Sequence, residues 1–275
     1  MNKVNLDSDP RKIRELLQRD GYILVKNILD KATLERLISA FDLPQTKQDS
    51  GDFLKRKSIP NAVHLIPLLS DIVCEPNIVK LMNMVFDNQS YCFTSHSDIH
   101  MNNVTGWHKD DGRGLYFEGL DDYSKSDFCQ VYKIGIYLQD ASHSGGLTIK
   151  PGSHKTGYSK LFGLNVNSSH SELYLPSMLG DIVIFDVRIT HKGDSLDKTN
   201  LLWRLLRKLG IVKEKKLDYE RLSFFFTYGL QNKYTKIFAQ KNMERQLRQL
   251  GSSSSKIMPA ELNKKLKEAG ICSYF

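Results

Sequence analysis

From Tyr91 to Tyr228 the chain is built of short apolar runs of strand character, each ended by turn residues. The runs cover residues 91–94, 131–138, 147–150, 181–186 and 222–228, with Ser144-Gly145-Gly146 and Pro151-Gly152-Ser153 as turn signals. Many short strands with Gly- and Pro-rich connections restrict the fold to a sandwich, jelly roll or barrel. The flanks read differently. Asp9-Pro10 predicts a helix start followed by an Ile13, Leu16, Leu17 stripe, and residues 21–26 form a β-branched, strand-like run. Asp30 is placed to cap a helix carrying Leu34, Leu37, Ile38 and Phe41 at helical spacing. Residues 44–60 lack periodicity and read as loop, and a further helix is expected over 72–86.

Two stretches interrupt the strand-rich region: a polar, aromatic-rich excursion over 112–128, and a helical pattern over 201–209. Two basic helices, 236–250 and 259–269, follow, joined by a flexible Gly251-Ser-Ser-Ser-Ser255. The 275 residues are expected to form one domain, with a helical N-terminal region over residues 1–90, a strand-rich core 91–230 with an insertion near 199–215, and a basic helical extension 231–275. No apolar run approaches the roughly 20 residues that cross a bilayer. Residues 1–10 have neither the apolar core nor the cleavage site of a secretory signal. The four cysteines (Cys74, Cys92, Cys129, Cys272) are scattered, so reduced thiols and a cytoplasmic setting are expected. The net charge of +8 admits a polyanionic partner, but acidic neighbours interleave, as in Lys213-Glu214-Lys215-Lys216. With no nucleic-acid module in the sequence, a solvated basic surface is the expectation.

The segment richest in chemistry is Gly106-Trp-His-Lys-Asp-Asp-Gly112. In extended backbone His108 and Asp110 share a face, so one ion can take an imidazole nitrogen and a carboxylate oxygen from them. Gly180-Asp-Ile-Val-Ile-Phe-Asp-Val-Arg-Ile-Thr-His191 reads as a buried strand delivering a third ligand, His191. Two histidines and one carboxylate on one face of an octahedron are the facial triad of non-haem Fe(II) oxygenases. In a chain with eight histidines this spacing alone is weak. Its surroundings strengthen it.

Trp-His-x-Asp, then Ser144-Gly-Gly-Leu-Thr-Ile-Lys-Pro-Gly-Ser-His154, then Gly180-Asp-Ile-Val-Ile-Phe-Asp with a histidine shortly after, resembles the phytanoyl-CoA dioxygenase family. The resemblance runs over about residues 10–230, and 21–29 looks like the family's first strand. It implies a double-stranded β-helix (a cupin-like jelly roll), Fe(II) held by His108, Asp110 and His191, 2-oxoglutarate as cosubstrate and O2 as oxidant. Aerobic crystals are expected to admit Ni, Co, Mn or Zn in place of iron. Related halogenases lack the carboxylate, so Asp110 favours hydroxylation; Asp111, on the opposite face, is read as supporting or surface. The family places an arginine after the distal histidine to hold the far carboxylate of 2-oxoglutarate. Arg204, Arg207 and Arg221 compete, and Arg221 is chosen because it introduces a strand, with the preceding residues as an insertion.

His96 and Tyr137 are expected beside the cosubstrate, and Arg113, Tyr116 and His100 toward substrate, with Phe117 and Tyr123 adding rings to a lid. Trp107 is expected to pack beneath the metal, and His154 to serve a structural turn. The expected substrate is a small molecule, or a lipid- or sugar-linked one. The leucine-rich, basic 201–209 stretch suggests peripheral membrane contact, against a packing helix. Two other readings stand: a divalent-metal jelly roll acting as hydrolase or isomerase, and a non-catalytic binding module.

Overall fold

The computed structural model describes residues 1–43, 57–103, 105–112, 114–120, 123–141, 145–156, 170–193, 221–251 and 257–275. The predicted insertion over 201–209, with Arg204 and Arg207, lies outside the described residues, as do Arg113 and the serine linker 252–255. Helix α1 (Pro10–Asp20) starts as its sequence requires: Asp9 accepts from the Arg11 N–H, and Pro10 needs no intrahelical donor. It ends at Gly21, whose φ of 78° is left-handed and whose N–H donates to the Leu17 carbonyl. A Cβ at Gly21 would also stand 2.5 Å from the His154 ring, whose Nε2 faces the Gln18 carbonyl at 3.1 Å. His154 thus fastens a turn to α1, as expected. Asp30 caps α2 (Lys31–Ser39) through the Thr33 N–H. Leu37 and Phe41 are buried there, whereas Ile38 is exposed.

Two regions differ from the expectation. Residues Lys57–Pro60, at the end of the predicted loop, form strand β3, which gains its order from pairing with β4 (Tyr91–Met101) rather than from its own polar sequence. The single helix expected over 72–86 is two, α4 (Leu69–Val73) and α5 (Pro76–Val85), because Pro76 cannot continue a helix and starts a new one capped by Glu75. A short α3 (Ala62–Leu65) precedes them.

The strands form two facing sheets. The larger runs β1 (Lys3–Val4), β2 (Tyr22–Val25), β8 (Ile182–Asp186), β5 (Val131–Tyr137), β10 (Leu222–Leu230), β4, β11 (Cys272–Ser273). The smaller runs β7 (Leu173–Leu175), β6 (Leu147–Lys150), β9 (Thr190–Gly193). Central strands are buried on both faces, which explains their near-continuous apolar sequences. Phe224, Phe226, Ile134, Ile136 and Ile184 pack toward the helices. Phe225, Tyr137, Phe185, Leu147 and Ile149 fill the space between the sheets. Helix α6 (Lys233–Leu250) lies against β4 and the turn Leu115–Phe117, and α7 (Ala260–Glu268) packs Leu262 and Leu266 into the helical side. Among the described residues no helix is long and apolar enough to cross a membrane.

The cysteine expectation is corrected at one pair. Parallel pairing of β11 with β4 sets Cys272 opposite Cys92, Cα atoms 4.3 Å apart, and the two form a disulfide. A separation of 180 residues hid that pairing from the sequence. Cys74 and Cys129 are free.

Candidate metal centre

The stretch 180–191, read as one strand, is two. β8 ends at Asp186, and a turn then carries the chain from the large sheet to β9 in the small one. Asp186 and Arg188 fix that turn: Oδ1 accepts from the Arg188 backbone N–H at 2.8 Å and from Nε at 2.9 Å, while Oδ2 accepts from the second guanidinium nitrogen at 2.7 Å. Both are buried, so the bidentate pair satisfies charges that would otherwise be costly. His191 follows on β9.

His108 is paired to His191 through the backbone. Each residue's N–H donates to the other's carbonyl at 2.9 Å, extending the small sheet by one bridge. The alternation of extended chain then brings Asp110 to the same side as His108. His108 Nε2 lies 3.6 Å from Asp110 Oδ1, His191 Nε2 lies 3.5 Å from Oδ2, and one ligand atom from each residue falls within 4.8 Å of the others. Both rings are turned by their other nitrogen: His108 Nδ1 is 2.7 Å from the Gly106 carbonyl, and His191 Nδ1 is 3.0 Å from the Ile189 carbonyl. A carbonyl can only accept, so Nδ1 carries the proton and Nε2 is left as a lone-pair donor. Burial, with the neighbouring His108, pushes His191 down to about 3 and keeps it neutral. Burial works against ionising Asp110, but the Lys133 ammonium outweighs it and holds the carboxyl well below the usual range. This donor set suits a divalent ion.

Next to these three lies a cavity lined by Lys133, Tyr137, Phe185, Arg221 and His100. Arg221 is 3% exposed, and among the described residues its guanidinium donates to backbone carbonyls: Nε to Gly145 at 2.7 Å, and its terminal nitrogens to Asn103 at 2.5 Å and Gly146 at 3.4 Å. Among the described residues no carboxylate pairs with it. Its guanidinium carbon stands 5.4 Å from the Tyr137 ring centre, and the buried Tyr137 hydroxyl has no hydrogen-bond partner among the described residues. Burial pushes that hydroxyl up to about 12, so it remains a donor. A Cβ on Gly193 would crowd Arg221 at 3.3 Å. A guanidinium without a carboxylate and a hydroxyl without a partner among the described residues, beside a glycine opening, fit a carboxylate, as 2-oxoglutarate would supply.

Other expected residues are distributed unevenly. His100 lines the cavity, its Nδ1 2.8 Å from Ser58 Oγ, and burial lowers it to about 4. His96 is committed elsewhere: Nδ1 faces Thr227 Oγ1 at 2.6 Å and Nε2 faces Asp98 Oδ2 at 2.9 Å, and it does not line the cavity. Trp107 is not beneath the metal ligands. It lies against Lys192 and Lys150, whose ammonium nitrogens are 4.6 and 4.9 Å from its ring centres, because alternation turns it away from His108. Phe117 and Tyr123 stack on each other at 5.0 Å in a buried cluster with Phe238, so they are packing rather than lid. Tyr116 also packs on Phe238. Asp111 is buried, accepting from the Gly114 N–H at 3.1 Å. The sequence reading missed Lys133, whose Nζ is 3.0 Å from Asp110 Oδ2. The available signal was a lysine inside the apolar run Val131-Tyr-Lys-Ile-Gly-Ile-Tyr137.

Comparison with known proteins bears on this arrangement. The family model described as Phytanoyl-CoA dioxygenase (PhyH) matches residues 17–195. That range includes all three candidate metal ligands and stops short of Arg221. No curated protein matches. Among solved structures, the non-heme alpha ketoglutarate dependent carbocyclase SnoK from nogalamycin biosynthesis is 14% identical, covering 85% of this chain and 92% of its own, with a TM-score of 0.58. The epimerase SnoN, in complex with Fe3+, alpha ketoglutarate and nogalamycin RO, is 16% identical over 80% of this chain and 83% of its own, TM-score 0.57. EctD from S. alaskensis, with 2-oxoglutarate and 5-hydroxyectoine, is 14% identical over 81% and 77%, TM-score 0.54. At these identities the likeness establishes the fold, a jelly roll with flanking helices.

Proposed function

This chain belongs to the phytanoyl-CoA dioxygenase family of iron- and 2-oxoglutarate-dependent oxygenases, and on that premise we propose that it hydroxylates an aliphatic C–H bond of a small molecule, free or linked to a sugar or lipid. The observation that carries the reading is the convergence of His108, Asp110 and His191 beside a buried arginine that has no carboxylate partner among the described residues. A metal hydrolase or isomerase has no use for such an arginine facing the ion, and a module without turnover has no need of the full triad.

In this reading His108 and His191 offer Nε2, and Asp110 a carboxylate oxygen, to iron. Arg221 and the Tyr137 hydroxyl receive the far carboxylate of 2-oxoglutarate, with Phe185 and Leu147 closing the cavity against water. Iron and 2-oxoglutarate supply the oxidising chemistry, in which O2 is consumed and the cosubstrate is released as succinate and CO2. The protein contributes ligation, orientation and a dry wall. Asp110 occupies the position that a halide would need, which supports hydroxylation. His100, Tyr116 and Arg113 are the proposed substrate-side groups, and the leucine-rich, basic 201–209 stretch the proposed membrane or substrate contact. Co-sedimentation with anionic vesicles, weakened by salt and by Trp203→Ala, would support that contact; no binding at low salt would end it.

The central test is an anaerobic titration. Fe(II) added with 2-oxoglutarate is expected to produce a weak visible charge-transfer band, and air with the right substrate to yield succinate in step with product. Absence of the band, with metal bound, would sink the oxygenase reading.

A further inference from the structure

Lys133 has no place in the triad or the arginine site, yet it is buried between them. It sits mid-strand in β5 with its side chain 8% exposed, its Nζ 3.0 Å from Asp110 Oδ2 and 5.0 Å from the Phe225 ring centre. An ammonium taken out of water needs a partner, and here the partner is the carboxylate expected to hold the metal. Among the described residues Asp110 is its only hydrogen-bond partner, so an ammonium with three N–H donors commits one of them. It lines the same cavity as Arg221.

The charges at this cavity do not balance. Among the described residues the charged side chains at it are Lys133 and Arg221 against Asp110, a net of one positive charge. A divalent ion bound at Asp110 would raise that to three, and a dianion would return it to one. Lys133 therefore opposes a metal ion that arrives alone, both by repulsion and by competing for the Asp110 oxygen. A dianion in the same cavity offers the ammonium a second acceptor, and an ammonium that turns to it releases the Asp110 oxygen to the metal. A neutral side chain at this position would do neither.

We propose that Lys133 couples the two binding events, weakening the site for the metal ion alone and strengthening it for 2-oxoglutarate on the metal-loaded protein, so that the two fill as a pair. The proposal rests on reading the cavity as the 2-oxoglutarate site. Coupling between ligands is reciprocal, so it is measurable from either side without turnover. A lysine that merely shaped Asp110 would instead help the metal bind alone.

The experiment uses Mn(II), titrated anaerobically by calorimetry with and without saturating 2-oxoglutarate, on the full chain. In the unaltered protein 2-oxoglutarate is expected to tighten Mn(II) by a factor within the usual coupling range of roughly 5- to 150-fold. Lys133→Met should bind Mn(II) alone more tightly and show a smaller factor, while Lys133→Arg keeps it. Lys133→Gln, which retains a donor to Asp110 but not the charge, replaces the Met variant if that protein does not fold. An unchanged coupling factor in the neutral variant, or Mn(II) alone binding more weakly, overturns the proposal. If the unaltered protein with Mn(II) takes up no 2-oxoglutarate by equilibrium dialysis, the cosubstrate reading falls as well.

Discussion

Each candidate metal-ligating histidine, His108 and His191, is held twice, by a strand bridge through its backbone and by a carbonyl on Nδ1. His108→Ala and His191→Ala are therefore expected to lose metal-dependent turnover while keeping the backbone pairing. Retained activity in either would remove that residue from the ligand set. Asp110 differs, because Asp110→Ala also leaves the buried Lys133 ammonium unpaired. Breaking a buried pair from one side costs about 3 kcal/mol or more. Urea denaturation of the apo protein should show that loss for Asp110→Ala and much less for Asp110→Ala combined with Lys133→Met. Arg221→Gln should spare metal binding and weaken 2-oxoglutarate by roughly ten- to a hundred-fold, since a charged hydrogen-bonded partner contributes about 1.5–3 kcal/mol. An intact affinity in that variant would move the cosubstrate arginine elsewhere. At this scale the convergence of His108, Asp110 and His191 was legible in the sequence, because a two-residue spacing in extended chain has a direct geometric meaning. Lys133 and the partners of His96 were not legible. Their roles come from neighbours on other strands, Asp110 for one and Thr227 for the other.

Helix α6 is tied to β4 by one buried side chain. Gln246 Oε1 accepts from the Asn61 N–H at 2.9 Å and the Ser97 N–H at 3.3 Å, and Nε2 donates to the Ser95 carbonyl at 3.0 Å. Gln246→Leu would keep much of the volume and strand three backbone groups. At about 1–3 kcal/mol for each buried unsatisfied group, a loss of roughly 3 kcal/mol or more is expected in chemical denaturation. A loss below about 1 kcal/mol would mean that water replaces the amide. Elements of the strand-rich region were legible where both faces are buried, as in β5, β6 and β10, since burial demands apolar residues there. β3 escaped notice because it borrows its order from β4, and the β8–β9 break because the turn between them is itself apolar and buried, at Val187 and Ile189. Helix starts were legible at Asp9 and Asp30, where capping is a local interaction.

Five histidines held below their ordinary value by burial (His64, His96, His100, His154 and His191) shape the pH response of the apo protein. Burial lowers His64 and His100 to about 4 and His191 to about 3. In the unfolded chain each returns to its ordinary value near 6.5. Above about 6.5 neither state holds the protons, and stability is full; between 6.5 and 4 only the unfolded chain takes them up, so stability falls as pH falls. The urea midpoint of the apo protein is expected to drop between pH 7.5 and 5.0, and to drop less in His64→Phe; an unchanged midpoint would contradict this. The overall architecture was legible as a class, a jelly roll with flanking helices, while strand order was not, since order depends on which distant segments meet. That order has a consequence for how the protein is made. β10 lies between β4 and β5, both of which precede it by some eighty residues or more. A nascent chain on the ribosome therefore carries two bare β edges until the tenth strand emerges, and such edges invite pairing with other chains. Biogenesis of this protein should lean on chaperones through that interval, and a message truncated before residue 222 should yield aggregate rather than a smaller folded product.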